Sequence, residues 1–313
     1  DMRGRLYHLC FTSHQEVLCR RHSDYVRLFN SMAQAAINTG SMLVTYNIMS
    51  NHLHLALITS DTGHFMQRLR SSYTQMFNDR YRRTGMLGDP HYFKLELEGR
   101  HHVTAALSYI LRNPSHHRLC ANLFAYPYSP VLLYFNNHRS HIFNSDNDIS
   151  DARSLRTIRR KNQIPGSVRF DVSGMLDMAA VTNTEILEGY FGSYKAFQYG
   201  LVRTDYDRWE EEQANDRFGV APVTLASMEP HLPAQAVTDM MTQNMAWLKE
   251  ASITDEGLCS LIDGQYLSDF HKHSYTELTV DEKIKIAGHI RECRYVQLRQ
   301  LGRCLGIRPE LLM

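Results

Sequence analysis

The sequence predicts an α+β fold in which helices pack on an antiparallel sheet. Three observations predict it. Short apolar runs, alternating or strand-like, stand at residues 5–12, 42–48, 52–59 and 91–98, as half-buried strands require. Two longer stretches, near 23–38 and from about 61 onward, repeat apolar residues at helical spacing. Their order is β-α-β-β-α-β, which is the ferredoxin-like pattern, an antiparallel sheet with both helices on one face.

Each element has its own justification. "RLYHLCFT" supplies the first strand. In the first helix Val26, Phe29, Ala33, Ala36 and Ile37 form the apolar stripe, Ser23 can cap its start, and Gly40 sits just past its end. Strands 42–48 and 52–59 are close enough to be joined tightly near Ser50 and Asn51. "DTGHFMQRLRSSYTQMFNDRYRR" starts a helix near Asp61 or Thr62, with Phe65, Leu69, Tyr73, Met76 and Phe77 along one side. "HYFKLELE" alternates as a strand, and "HHVTAALSYILRN" is a further helix that Pro114 is expected to stop. This helix is free to cover the open face of the sheet, or to help build a site there.

Beyond Pro114 the pattern changes. The aromatic stretch "AYPYSPVLLYF" is expected to pack on the first domain, which would span residues 1–140. Residues 141–167 read as a polar linker around a short basic helix. Residues 168–221 read as a helical extension, and 222–313 as a helical C-terminal domain. "VQLRQLGRCLGIRPELL" is similar to a helix-turn-helix, with its turn at Gly306 and a second helix from about Pro309; a generic helical hairpin fits the same pattern.

The 313 residues are ample for a sizeable core, and 43% apolar with 21% charged residues is an ordinary globular composition. No apolar run approaches a membrane span. "DMRGRLYHLCFTSH" lacks the continuous apolar core of a signal peptide. The cysteines, Cys10, Cys19, Cys120, Cys259, Cys293 and Cys304, form no C-x-x-C pair. That argues against a zinc ribbon or a disulfide framework and suits a reducing cytoplasm. Residues 1–161 carry 20 Lys and Arg against 11 Asp and Glu, whereas residues 162–313 carry 14 against 22. A basic first half points to a polyanion such as nucleic acid, although a solvated basic face gives the same count.

"YNIMSNHLHLALIT" places two histidines in an apolar strand. Alternation puts Leu53, Leu55 and Leu57 on the face toward the helices and His52 and His54 on the other, with Cβ atoms about 7 Å apart. Two imidazoles that close can share one divalent ion, with positions left open for phosphate oxygens. The His-x-His pattern alone reads more simply as two strand histidines that face solvent or hydrogen-bond their neighbours. In "TAALSYILRNP" the apolar stripe is Val103, Leu107, Ile110 and Leu111, while Tyr109 and Asn113, four apart, share a different face. An Asn amide oxygen suits a third ligand and a Tyr hydroxyl suits a nucleophile. In isolation the pair reads just as well as a core edge and a helix cap.

Together these residues resemble the single-tyrosine HUH transposases, and within them the REP-associated tyrosine transposases. The strand "MSNHLHL" is similar to that family's M-P-N-H-x-H-L, with Ser50 in place of the proline, and "YILRNP" is similar to its Y-I-x-x-N-P helix. "SSYTQMFNDRYRRTGMLGDPHYFKLELE" and "YPYS" fall between and after them in the family's order, so the resemblance spans about residues 5–135. Two segments depart from it: "CFTSHQEV" lacks an arginine-glycine pair, and "GMLGDPHYFK" replaces G-x-F-Q-x-R.

The resemblance implies an HUH nuclease domain in residues 1–140. It implies Tyr109 as nucleophile and His52, His54 and Asn113 as ligands of Mg²⁺ or Mn²⁺. It implies a metal-dependent single-stranded DNA endonuclease and strand transferase that cleaves near REP-like hairpins through a 5′-phosphotyrosine. A monomer or homodimer in a prokaryotic cytoplasm, associated with the nucleoid and not with a membrane, fits that role. Candidate phosphate-tracking residues are Arg68, Arg70, Arg80, Arg82 and Arg83, and then Arg153, Arg156, Arg159, Arg160 and Lys161. A domesticated relative that nicks repeat hairpins as a host function, or a DNA-binding module without chemistry, stands beside the transposase reading.

Overall fold

The structure is a computed structural model that describes residues 4–117, 119–120, 122–136, 170–171, 173–202 and 253–313. The second basic group, Arg153, Arg156, Arg159, Arg160 and Lys161, and the linker at 141–167 lie outside these residues.

A four-stranded antiparallel sheet organises the N-terminal part of the described residues. Its strands are β1 (Arg5–Thr12), β2 (Met42–Ile48), β3 (His52–Thr59) and β4 (Phe93–Glu96), in the spatial order β2-β3-β1-β4. Helices α1 (His22–Thr39) and α2 (Thr62–Tyr81) cover one face. There Leu9, Phe11, Leu53, Leu55 and Leu57 meet Val26, Phe29, Phe65, Leu69 and Tyr73 in one buried cluster. Helix α3 (Arg100–His116) covers the other face, where Leu6, Val44 and Ala56 meet Val103, Leu107 and Ile110. The sheet is therefore enclosed on both sides, and polar side chains on its α3 face are buried.

Local chemistry sets the helix ends. Helix α1 begins one residue earlier than expected, and the carboxylate that serves its start is Asp24, not the Ser23 hydroxyl. Asp24 accepts from the backbone N–H of Arg20 at 2.9 Å and of Arg21 at 3.2 Å. A carboxylate in the first turn also favours the helix dipole. Gly40 closes α1 in the left-handed conformation, with φ of 60°. Asp61 caps α2 by accepting from His64 N–H at 3.0 Å. Helix α3 does not stop before Pro114 but runs through it to His116. The turn continues because the N–H of His117 still reaches the Asn113 carbonyl, at 3.1 Å, and that of Leu119 reaches Pro114 at 2.9 Å.

The aromatic stretch after α3 packs against α1 and β2. Tyr128 stacks on Tyr25 with 3.8 Å between ring centroids, and the Tyr126 and Tyr134 hydroxyls each donate to β2 carbonyls at 2.7 Å. Short helices α4 (Met178–Val181), α5 (Thr184–Phe191) and α6 (Tyr194–Val202) follow. Leu187, Phe191, Phe197 and Leu201 from α5 and α6 join the cluster under α3.

The C-terminal residues comprise α7 (Asp255–Leu261), continued through a π-helical turn and a last turn to Asp269, then α8 (Val280–Cys293) and α9 (Leu298–Leu305). Gly306 makes the expected turn, with φ of 62°, but Pro309–Leu312 is a single 3-10 turn and α9 is largely buried. Leu258, Ile262, Tyr275, Leu301 and Leu305 belong to the same buried cluster as Leu9 and Phe11. Arg20, with no exposed surface, ties the pieces together. It donates to Asp263 at 2.6 and 3.1 Å and to the Cys304 carbonyl at 2.6 Å, and its guanidinium lies 3.8 Å from the Tyr275 ring centroid. Burial alone would lower its pKa; Cys259 and Asp263 hold it above the ordinary arginine value. Replacing Arg20 by Met leaves Asp263 and a buried carbonyl without their partner. We expect a loss of about 3–5 kcal/mol of stability, the usual cost of breaking a buried ion pair. Urea unfolding followed by circular dichroism measures it; an unchanged midpoint would contradict the assignment.

The loop between α2 and β4 docks on the end of β1. Gly88 has φ of 75°, and a Cβ there would stand 2.5 Å from the Phe11 ring and 2.8 Å from the Thr12 carbonyl oxygen. Backbone strain and overpacking then act together, so Gly88→Ala is expected to cost about 1–3 kcal/mol. A melting temperature that does not fall would show that the loop gives way freely.

Candidate active site

The site forms where the two histidines of β3 face α3. β3 leaves the hairpin turn at Asn51, and its register with β1 pairs His54 with Cys10 and Ala56 with His8. Alternation then puts His8, Cys10, His52 and His54 on one face. β2 adds Asn47 directly opposite His54. Across this face α3 presents Tyr109 and Asn113, one turn apart. All are buried: His8 and Asn113 keep no exposed surface, His54 keeps 1%, and His52 and Tyr109 keep 6% each.

The distances show one connected cluster. His52 Nε2 lies 2.7 Å from Asn113 Oδ1, and His52 Nδ1 lies 3.0 Å from Asn51 Oδ1. His54 Nδ1 lies 3.0 Å from His8 Nε2, and His54 Nε2 lies 3.9 Å from Cys10 Sγ. The His52 and His54 rings are 5.0 Å apart between centroids, and Tyr109 stands 5.4 Å from His54 and 6.2 Å from His8. The C-terminal end of α3 adds two more imidazoles, His116 in its last turn and His117 just after it. His117 is 5.0 Å from His52, and His116 is 5.8 Å from Tyr109. These two are only partly buried and form the open margin of the cluster.

The donor set suits a divalent ion. A neutral imidazole carries one N–H, yet both nitrogens of His52 face amide oxygens, which only accept. One contact is therefore a hydrogen bond, and the other sets lone pair against lone pair. A cation at Nε2 removes the conflict, as would turning the Asn113 amide. In the present orientation the Asn113 amide nitrogen is buried without a hydrogen-bond partner. Among the described residues no three His, Cys, Asp or Glu side chains are arranged to hold an ion. The third donor here is an amide oxygen, which suits the harder cations.

The turn that carries His52 is held from two sides. The Ser50 carbonyl accepts from Leu18 and Cys19, at 2.7 and 2.9 Å. The Ser50 hydroxyl donates to Asp255 at 2.6 Å, and Asp255 in turn pairs with Arg303 at 2.6 and 2.7 Å. Ser50, the residue that stands where the similar family has proline, is thus a docking point for α7.

The first arginine group lies on α2 and the turn after it, on the opposite face of the sheet from the histidines. Arg70 donates to the Asp89 and Pro90 carbonyls and lies over Phe11, and burial lowers its pKa. Arg80 pairs with the buried Asp24, Arg82 with Glu277 at 2.7 Å, and Arg83 with Glu16 at 2.5 and 3.0 Å. These four hold loops and helix ends in place. Arg68 is exposed, on a groove of about 360 Å³ between α1 and α2 lined also by Gln34, Asn38 and His64.

The sequence expectation omitted His8, Asn47, His116 and His117. The alternation of "RLYHLCFT" puts Leu6, His8 and Cys10 on one face, but only the register with β3 shows that this is the histidine face. No family model matches this sequence, and no curated protein does. Among solved structures, this one is similar to that of a REP-associated tyrosine transposase bound to a REP hairpin. The identity is 13%, over 48% of this chain and 90% of that one, with a TM-score of 0.36. It is also similar to the structure of a protein provisionally named as a transposase from Deinococcus radiodurans R1, at 18% identity over 35% of this chain and 90% of the other, with a TM-score of 0.28. Among the described residues no helix is long and apolar enough to cross a membrane.

Proposed function

We propose that this chain is a metal-dependent single-stranded DNA endonuclease and strand transferase, a transposase that works near hairpins through a 5′-phosphotyrosine. The observation that carries the reading is the convergence of Tyr109, His52, His54 and Asn113. They come from a strand and a helix, His52 lying 61 residues from Asn113, and meet on one buried sheet face.

His52, His54 and Asn113 would hold Mg²⁺ or Mn²⁺, which, when bound, neutralises phosphate charge and aligns the phosphorus for in-line displacement. Tyr109 supplies the nucleophilic oxygen. Its bond to phosphorus forms as the bond from phosphorus to O3′ breaks, which leaves a 3′-hydroxyl on one strand and a 5′-phosphotyrosine on the protein. A free phenol titrates near 10, and the proton must leave the oxygen during attack. The imidazoles of His54, His116 and His8, with centroids 5.4–6.2 Å from the Tyr109 ring, are the nearest ring bases in the cluster. The phosphotyrosine keeps the energy of the phosphodiester. A second 3′-hydroxyl can therefore reverse the step and join strands without ATP.

The test is incubation with end-labelled single-stranded hairpin DNA and Mg²⁺. The reading predicts a band that survives denaturing electrophoresis with the protein, carries the label 3′ to the cut, and vanishes with a chelator. Label left only in free DNA, cut or uncut, would overturn it.

A further inference from the structure

Both β3 histidines have their Nδ1 atom against a neighbour, and the two neighbours come from different elements. Asn51 in the hairpin turn stands 3.0 Å from His52 Nδ1, and His8 in β1 presents Nε2 at 3.0 Å from His54 Nδ1. An amide oxygen can only accept, so Asn51 favours the His52 tautomer with its proton on Nδ1. His8 and His54 share one proton across their contact. If His8 donates, His54 must carry its own proton on Nε2 and has no lone pair for a cation. If His54 donates, Nε2 keeps its lone pair.

We propose that His8 is a positioning residue that accepts the Nδ1–H of His54, so that both β3 imidazoles present Nε2 as ligand nitrogens. This rests on the reading of His52, His54 and Asn113 as an ion site. Several observations support it. His8 is fully buried, and it lies between β3 and β4, with Ala56 and Leu95 as its cross-strand partners. Its ring also meets the edge of Phe93 at 5.2 Å, which restricts its rotation. The arrangement repeats what Asn51 does for His52. Outer hydrogen-bond partners of this kind fix the tautomer and orientation of ligand imidazoles.

The experiment uses the full chain and Mn²⁺ alone. Manganese binding is titrated by electron paramagnetic resonance for the wild type, His8→Leu, His8→Gln and His54→Ala, with circular dichroism as the check on folding. Loss of an outer partner typically costs 10–100-fold in metal affinity, so His8→Leu should weaken binding by about that factor. His8→Gln, whose amide oxygen can take the position of the lost Nε2, should restore most of it. Equal binding by His8→Leu and the wild type, with His54→Ala defective, overturns the role of His8 and leaves the ion site standing. Equal loss in folded His8→Leu and His8→Gln also overturns it. Absence of binding in the wild type removes the ion site, and this role with it. Nitrogen-15 spectra of the wild-type histidine rings read the tautomer directly, should a variant not fold. A proton on His54 Nδ1 supports the proposal and one on Nε2 contradicts it.

Discussion

Tyr109→Phe is expected to abolish the covalent DNA adduct while DNA binding stays close to that of the wild type. The substitution removes one oxygen and keeps the ring. That ring lies 6% exposed among His8, His54 and His116, so the packing of α3 on the sheet is preserved. Without the oxygen no bond to phosphorus can form, and no residue four positions away on the same face replaces it, since that position is the amide Asn113. The loss should therefore be complete within detection, well beyond the ~10²–10⁴-fold attributed to a single acid or base. Gel-shift titration and adduct formation on the same hairpin separate the two effects. An alkali-stable adduct formed by the Phe variant would place the nucleophile elsewhere.

The second large effect belongs to the histidine pair. His52→Ala and His54→Ala are each expected to remove metal-dependent cleavage. Asn113→Ala should do less, because water can replace a neutral amide oxygen. The geometry gives the order: His52 contacts Asn113 directly at 2.7 Å, whereas His54 contacts His8, so each histidine anchors a different side of the cluster. Cleavage rates across a Mn²⁺ series check this. Rescue of Asn113→Ala, but not of His54→Ala, at high Mn²⁺ is the expected pattern; full activity of either histidine variant would rule out the site.

How much of this was legible in the sequence depends on the range of the interaction. The strand of His52 and His54 and the i, i+4 relation of Tyr109 and Asn113 are local periodicities, and local periodicity sets which side chains share a face. The element order follows from the same patterns. His8 and Asn47 escaped because their meaning lies in strand register, which no single strand encodes. The ion pairs of the arginines on α2 and the turn after it were not legible, because their partners are distant in sequence. Glu277 lies 195 residues from Arg82, and Asp24 lies 56 from Arg80. The same holds for Arg20 and Asp263, 243 residues apart, whose pairing ties the C-terminal helices to the segment before α1. Pro114 misled as a helix stop because a proline removes one donor but does not prevent the following N–H groups from closing the last turn. Residues 141–167 read as a polar linker from composition, and they lie outside the described structure.

The proposed chemistry has Tyr109 join DNA through its hydroxyl, beside His54 and on the same helix face as Asn113. Its most direct test is mass spectrometric mapping of the covalent product. The full chain is incubated with a single-stranded hairpin oligonucleotide and Mg²⁺, then digested with protease and nuclease. The account predicts one peptide that contains Tyr109, heavier by a nucleoside 5′-phosphate, and a free 3′-hydroxyl on the released strand. A modified peptide lacking Tyr109, or a 3′-phosphate linkage on the protein, would contradict it.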